Sequence, residues 1–574
     1  MAIGGAIFRS LDDAETWTIC TGAAYTAGNE VFMNQYNDKL YITNGVDNII
    51  LYDGSTTLTQ YTALTTPSAP TSAKAGLAGT TVSYHYKVSA VNTVGFSIAS
   101  AKVTQTVDRL RDLWDSTTNY VTLTMPSTQT SQTRFDIYIS DDDVSYYYLA
   151  SVDSAATTTY RDDGSAIPVP STLAPTANTT QGPKVEELTN VGGRMYGVRD
   201  TTNRHRIWFS SGTPPLGAFS LAYDGGYLDW DTGGKYIPIK VADYRDGKGT
   251  PLATIWCKSA DGQGCILQMS IDTLTIGDIS ISVPSAYKLP GSRGTPAPGS
   301  VVNVLNDFMF YNTQAFYNLG SRAQFLNLLS TDEASANIRP TVKSISTSGE
   351  SMIASVYYDA RVYFSVPYGA SENNHTAIYD TERKAWLPKA FTLGFKKFLR
   401  YTDTDGNNRL LCVKPGDSQL SEISSSIQGD YGSAFQSTLL TGLYPTTKNR
   451  FDFQYTEEAE VEFSNPQGEI QVELIGIERS QGFSTQKSQT VSNSSSTTGH
   501  STFLHSTTAH SDTTDATDTF SESSVKRYFT IQRDLNAVQW RIVTNSLGAR
   551  YVLRTLQTWG TQTQGGKPRG WRLT

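Results

Sequence analysis

NDKLYITNGVDNIILYDG, residues 37–54, holds the pattern that decides the fold. A polar turn leads into a short run rich in aromatic and β-branched residues, a second turn of Asn, Asp and Gly follows, and another short run ends at Gly54. This is the signature of consecutive antiparallel strands, because Asn, Asp and Gly accept the backbone angles of tight turns and the runs between them alternate with a period of two. The theme returns in GGRMYGVRDTTNRHRIWFSSG (192–212), ATIWCKSADGQGCILQM (253–269), NDFMFYNTQAFYNLG (306–320), SVYYDARVYFSVPYG (355–369) and FLRYTDTDGNNRLLCVKPG (398–416). Helical periodicity is almost absent. Six hairpin units of this kind, none able to cover both of its own faces, are satisfied by radial packing, so the pattern predicts an all-β chain built as a six-bladed β-propeller. A tandem of β-sandwiches is the competing arrangement.

The composition agrees. With 574 residues the chain holds three or four folding units on a prior of about 150 residues each. Tyr 32 exceeds Trp 9 and Phe 22 together, while Gly 46 and Pro 22 are near average, which excludes a collagen-like or low-complexity polymer. Charged residues are only 17% and the net charge is −8, the wrong sign for a protein that grips nucleic acid by neutralising phosphates. No window approaches the about 18–20 apolar residues of a membrane span. The start, MAIGGAIFRSLDDAE, predicts no cleavable signal, since Arg9 arrives before an apolar core can form. Cys20, Cys257, Cys265 and Cys412 are too scattered for a disulfide framework. Cys257 and Cys265 flank an ADGQG turn and so face each other across a hairpin, either bonded or as two buried thiols.

Texture divides the chain into four parts. Residues 1–64 are the first propeller segment, and 177–429 carry the remaining blades. Between them, 65–176 has a Pro-rich entry, an alternating Tyr84-x-Tyr86-x-Val88-x-Ala90 run, Val121–Pro126, Phe135-x-Ile137-x-Ile139, and a close at Thr159–Asp163. This segment resembles a fibronectin type III domain, with Thr159–Asp163 matching the family's last strand, and is read as a sandwich inserted into the propeller. Residues 430–574 form a C-terminal β-rich assembly domain. Within it, 481–524 is dominated by Ser and Thr and is too poor in apolar groups to offset its ordering entropy, which predicts a long loop or extended hairpin ordered by another copy of itself.

Chemistry is sparse. There is no G-x-S-x-G elbow, P-loop or dinucleotide fingerprint, and the sequence assigns no catalytic, cofactor-binding or metal-ligating residue. His85 alternates in a sandwich strand as an outward polar residue, and His205 and His375 fall in blade turns. His500, His505 and His510 recur every five residues inside the Ser/Thr stretch, a spacing that allows metal-holding rings about a symmetry axis but fits a pH-sensitive polar loop better. The Asp-rich turns Asp141–Asp143, Asp162–Gly164 and Asp403–Asn407 lack the twelve-residue calcium pattern and read as turn chemistry. Ser10-Leu11-Asp12-Asp13-Ala14-Glu15-Thr16-Trp17 resembles the Asp-box S-x-D-x-G-x-T-W, with Ala14 in place of Gly. That box marks a hairpin turn of propellers, sialidases among them, and not an activity.

Phe8-Arg9-Ser10-x-Asp12, Arg206–Ser211 (RIWFSS) followed by Tyr227-Leu228-Asp229, and the segment from Phe451 together resemble the tail-nozzle, stabilisation or tail-hub proteins of short-tailed bacteriophages. The likeness is architectural and covers most of the chain; the fibronectin-like insertion and the Ser/Thr stretch depart from it. It implies a non-enzymatic virion component, assembled in the host bacterial cytoplasm: a homohexameric ring below portal and adaptor proteins, through which double-stranded DNA passes, with docking sites for tail fibres or tailspikes. The RIWFSS blade would meet neighbouring proteins, and the C-terminal strands would line the lumen. An acidic chain suits such a conduit, because basic walls would hold the DNA. A glycan-binding or glycan-cleaving, sialidase-like propeller and an extracellular adhesin are the alternatives.

Overall fold

The computed structural model describes residues 1–424 apart from 14, 154–157, 221–223, 232, 247–248, 277–278, 306, 323–327, 392 and 418. Beyond that it describes 437–441 and the strands Tyr444–Pro445, Gln454–Gln467, Glu469–Glu478, Gly482–Ser492, Ser524–Thr544, Arg550–Thr561 and Gly570–Leu573. The chain is all-β, as its alternation predicts. Among the described residues, helix is limited to the five-residue Arg339–Lys343 and single 3-10 turns.

Two compact units divide the chain, Met1–Glu422 and Ile423–Thr574. In the first unit, small antiparallel sheets follow one another along the chain. Sheet A comprises Ala2–Ile3, Ala6–Arg9 and Thr18–Ile19, and sheet B contains Phe32–Tyr36, Lys39–Thr43, Ile50–Tyr52 and Thr57–Gln60, with Thr21–Gly22 added in parallel at its edge. Sheet C is Val185–Val191, Arg194–Asp200, Arg206–Phe209 and Gly226–Asp229; sheet D is Tyr236–Arg245, Pro251–Ser259, Cys265–Ile276 and Ile279–Lys288. Sheet E is Val302–Val304, Asp307–Asn312, Ala315–Arg322 and Leu328–Glu333; sheet F is Ala354–Tyr358, Arg361–Val366, His375–Asp380 and Ala385–Phe391. Sheet G has Lys397–Thr402, Asn408–Val413 and Leu420–Glu422.

From B to F, each sheet shares a core with the next. Tyr36, Tyr41, Val185 and Met195 join B to C, Val198, Phe209, Ile255 and Leu267 join C to D, Trp256, Phe308 and Phe310 join D to E, and Phe316, Val362 and Phe364 join E to F. The second strands of E and F, DFMFYN and RVYFSV, are consequently buried on both faces instead of alternating. Tyr358 of F donates to the Asn408 carbonyl of G at 2.8 Å. The succession returns on itself: the Lys397 ammonium of G lies 2.6 Å from the Glu30 carboxylate and 4.9 Å from the Phe32 ring of B. Asp13, between the second and third strands of sheet A, accepts from the Thr404 hydroxyl at 2.7 Å.

Residues 71–173 leave this ring as a two-sheet sandwich. Its three-stranded sheet is Thr71–Ala75, Tyr120–Thr124 and Thr159–Asp162; its five-stranded sheet is Val82–Val91, Val103–Val107, Arg134–Ser140, Tyr147–Asp153 and Val169–Leu173. Tyr84, Tyr86, Val88 and Ala90 all point into one core with Val121, Leu123, Phe135, Ile137 and Ile139. One expectation changes. Thr159–Asp162 does not close the sandwich as its last strand; it pairs with Tyr120–Thr124, and Val169–Leu173 follows it on the other sheet. The linkers are tied to each other, Asn178 donating to the Leu64 carbonyl at 2.7 Å and the Leu64 amide to the Thr180 hydroxyl at 2.8 Å.

In the second unit, the strand Ser524–Thr544 is the organiser. Its first half pairs with Gln454–Gln467 and its second half with Glu469–Glu478, so it spans both parts of the sheet. Ala459, Val461, Phe463, Val472, Leu474 and Trp540 make the core. The first part of the Ser/Thr stretch is strand, Gly482–Ser492, paired with Glu469–Glu478, because Phe483 and Val491 punctuate an otherwise polar alternation.

Candidate interaction surfaces

Two of the segments that carry the phage-tail resemblance, Arg206–Ser211 and Tyr227–Asp229, are brought together by paired strands of sheet C. Arg206 stands opposite Asp229, and Trp208 opposite Tyr227. Alternation sends Ile207 and Phe209 into the core, which leaves Arg206 and Trp208 on the other face. The Arg206 guanidinium forks onto the Asp229 carboxylate at 2.7 and 2.9 Å and lies 3.6 Å from the centre of the Tyr227 ring. That fork holds the Asp229 carboxyl below the usual carboxylate range. Trp208 meets Tyr227 edge to face at 5.1 Å and donates its indole N–H to Asp200 at 2.8 Å. Tyr227 remains 44% exposed. The neighbouring outer strand of sheet D continues the theme: the Lys288 ammonium donates to the Tyr236 hydroxyl at 2.8 Å, and Tyr287 is exposed. Aromatic rings interleaved with cations, partly wet and rigidly held, are the composition of a recognition surface.

The Asp-box is closed by its own side chains. The Asp12 carboxylate accepts from the Ser10 hydroxyl at 2.7 Å, the Thr16 amide at 2.9 Å and the Thr16 hydroxyl. These donors, the Thr16 hydroxyl first, pull the Asp12 carboxyl down to about 2. Asp13 takes a positive φ of 53° and reaches across to Thr404 and Tyr401, so the box fastens the first sheet to the last.

The remaining candidates separate. His85 faces Thr104 across the strand pair at 2.9 Å, His205 sits in a turn against the Tyr236 carbonyl at 3.0 Å, and His375 opens a strand instead of occupying a turn, its ring 5.0 Å from Tyr368. His500, His505 and His510 lie outside the described residues. Among the described residues no group of three or more His, Cys, Asp or Glu is arranged to hold a metal ion.

Asp142 accepts from the Val144 and Ser145 amides, and Asp403 from the Asn407 amide, as turn chemistry requires. Asp162 differs. It is fully buried, accepts the Arg111 fork at 2.6–3.0 Å and the Tyr86 hydroxyl at 2.9 Å, and belongs to the sandwich core. Sequence spacing hides it because Arg111 comes from a distant loop. Cys257 and Cys265 pair across their hairpin as free, buried thiols. Burial pushes the Cys257 thiol well up. Gly294 is required there, since a Cβ would stand 1.8 Å from the Cys257 carbonyl oxygen.

No family model and no curated protein matches the chain. Among solved structures, a protein titled glycoside hydrolase is 9% identical, with 78% of this chain and 98% of that chain covered and a TM-score of 0.21. The extracellular domain of a one component system from B. thetaiotaomicron is 10% identical, with 85% and 86% covered and a TM-score of 0.18. Both likenesses are too low to carry an argument about activity.

Proposed function

We propose that this chain is a structural subunit of a short-tailed bacteriophage tail, a ring-forming nozzle or hub that extends the DNA conduit and catalyses no reaction. In this reading the ring of sheets is a six-bladed propeller whose seam is made by sheets G and A. Copies join head to tail as a homohexamer, which needs two different patches on each copy. Portal and adaptor proteins sit above and tail fibres or tailspikes dock outside. The supporting observation is that Arg206, Trp208, Tyr227 and Asp229, the residues of the resemblance, stand together on one partly exposed face. The net charge of −8 suits a passage that lets DNA slide. Native mass spectrometry and negative-stain microscopy of the purified chain are expected to show six-fold rings; a persistent monomer sinks the reading.

A glycan-binding function is the second reading, supported by the exposed rings of Tyr227 and Tyr287. An oligosaccharide array bound by the parent chain and not by Tyr227→Ala would favour it over the nozzle.

A further inference from the structure

A cleft of about 380 Å³ opens on the sandwich at 65–176, at the lower end of the range that small ligands or anchoring side chains fill. Its walls are Leu110, Ile139, Tyr147 and Pro168, and Ser140 and two carboxylates, Asp112 and Asp141, also line it. The floor is rigid. The Tyr84 hydroxyl accepts from the Arg111 amide at 2.9 Å, and the Arg111 guanidinium is already engaged by buried Asp162. With the Arg111 guanidinium paired to Asp162, the two aspartates outnumber the one cation of the lining, and the cleft is net acidic. Neither Asp112 nor Asp141 has a hydrogen-bond or ion-pair partner among the described residues. Burial raises the Tyr84 hydroxyl and the adjoining Arg111 lowers it, with smaller raising contributions from Asp141 and Asp112, which line the same cleft. The lining is otherwise largely apolar, and Leu110 within it is 56% exposed.

We propose that this cleft docks a protein segment presenting an arginine or lysine between apolar residues, the basic head lying between Asp112 and Asp141 and its stem along Leu110 and Pro168. Charge complementarity selects the occupant. A neutral sugar would leave two carboxylates partly desolvated and unpaired, which costs free energy, whereas a cation compensates them. A small amine would satisfy the charges and leave the exposed aliphatic rim bare, while a flanked basic residue covers both. The inference concerns the insertion alone and holds whether or not copies of the chain form a ring.

The test is calorimetric titration of the full chain with acetyl-Leu-Arg-Leu-amide, and with the same peptide carrying citrulline, which keeps the shape and removes the charge. Saturable binding of the arginine peptide is expected, weaker by about tenfold or more for citrulline and for the Asp112→Asn/Asp141→Asn variant, and falling with added salt. Both substitutions are isosteric at exposed positions, and an unchanged thermal melt verifies the fold. Equal binding of the two peptides, no binding of either, or full affinity in the double variant overturns the proposal. Tighter binding of free spermine that Leu110→Ser leaves unchanged would also overturn it, in favour of a polyamine site. An oligosaccharide competing for the cleft would do the same.

Discussion

The sandwich and the ring of sheets solve the same problem of covering β-sheet faces in different ways. In the sandwich, two sheets close over one cluster, from Leu77 and Tyr84 to Val152, with Tyr160 and Ala166 packed against it. In the ring each cluster belongs to two sheets, so Trp256 of sheet D has its aromatic partners, Phe308 at 5.1 Å and Phe310 at 6.0 Å, in sheet E. Cohesion is therefore local in the first and shared in the second. A sandwich can lose its surroundings and keep its core; a ring sheet cannot.

The sharpest way to break that contrast is Trp256→Ala. Removing a fully buried indole from a shared core is expected to cost about 3–5 kcal/mol and to lower the melting of the whole ring. Hydrogen exchange should show sheets C to F losing protection together while 71–173 keeps its own. Asp162→Asn is the mirror experiment: it leaves Arg111, only 12% exposed, without its counter-charge and should cost about 3 kcal/mol, confined to the sandwich. If exchange in the ring rises equally, the two regions are one cooperative unit.

A smaller effect is expected from Asp200→Ala, which orphans the Trp208 indole N–H and the turn amides of Thr202 and Asn203, at about 1–2 kcal/mol by chemical denaturation. Arg206→Ala, on a pair whose side chains are 17% and 37% exposed, should stay below about 1 kcal/mol and register in partner binding more than in stability. The smallest is the acid titration of Asp12. Its folded value, about 2, lies below the ordinary 3.8, so its contribution is complete above 3.8 and is lost as pH falls through about 2. A carboxyl titration by NMR that returns 3.8 would mean the box is open in solution.

Much of this architecture was legible because strands and turns are local. Lys39–Thr43 with its Asn37-Asp38 turn, the Tyr84-to-Ala90 alternation and the Asp-box each declare themselves within about ten residues. What depends on distant partners was not. Asp162 looked like one more turn aspartate, since nothing near it announces Arg111 from the loop after Val107. Thr159–Asp162 reads as the last strand of the sandwich, yet Val169–Leu173 follows it on the other sheet. The cleft is built from Leu110–Asp112, Ile139–Asp141, Tyr147 and Pro168, which no linear spacing connects. Gly482–Ser492 has a polar texture that suggests a long loop or an extended hairpin, and it takes the paired form, with ten backbone partners in Glu469–Glu478.

The clasp between Leu64, Asn178 and Thr180 has an evolutionary corollary. Because the chain leaves the succession of sheets and re-enters it at almost the same point, the segment between can be excised, replaced or lengthened while the host scaffold keeps its geometry. Exchanging that cassette would change what the protein touches and leave the sheets that carry it intact.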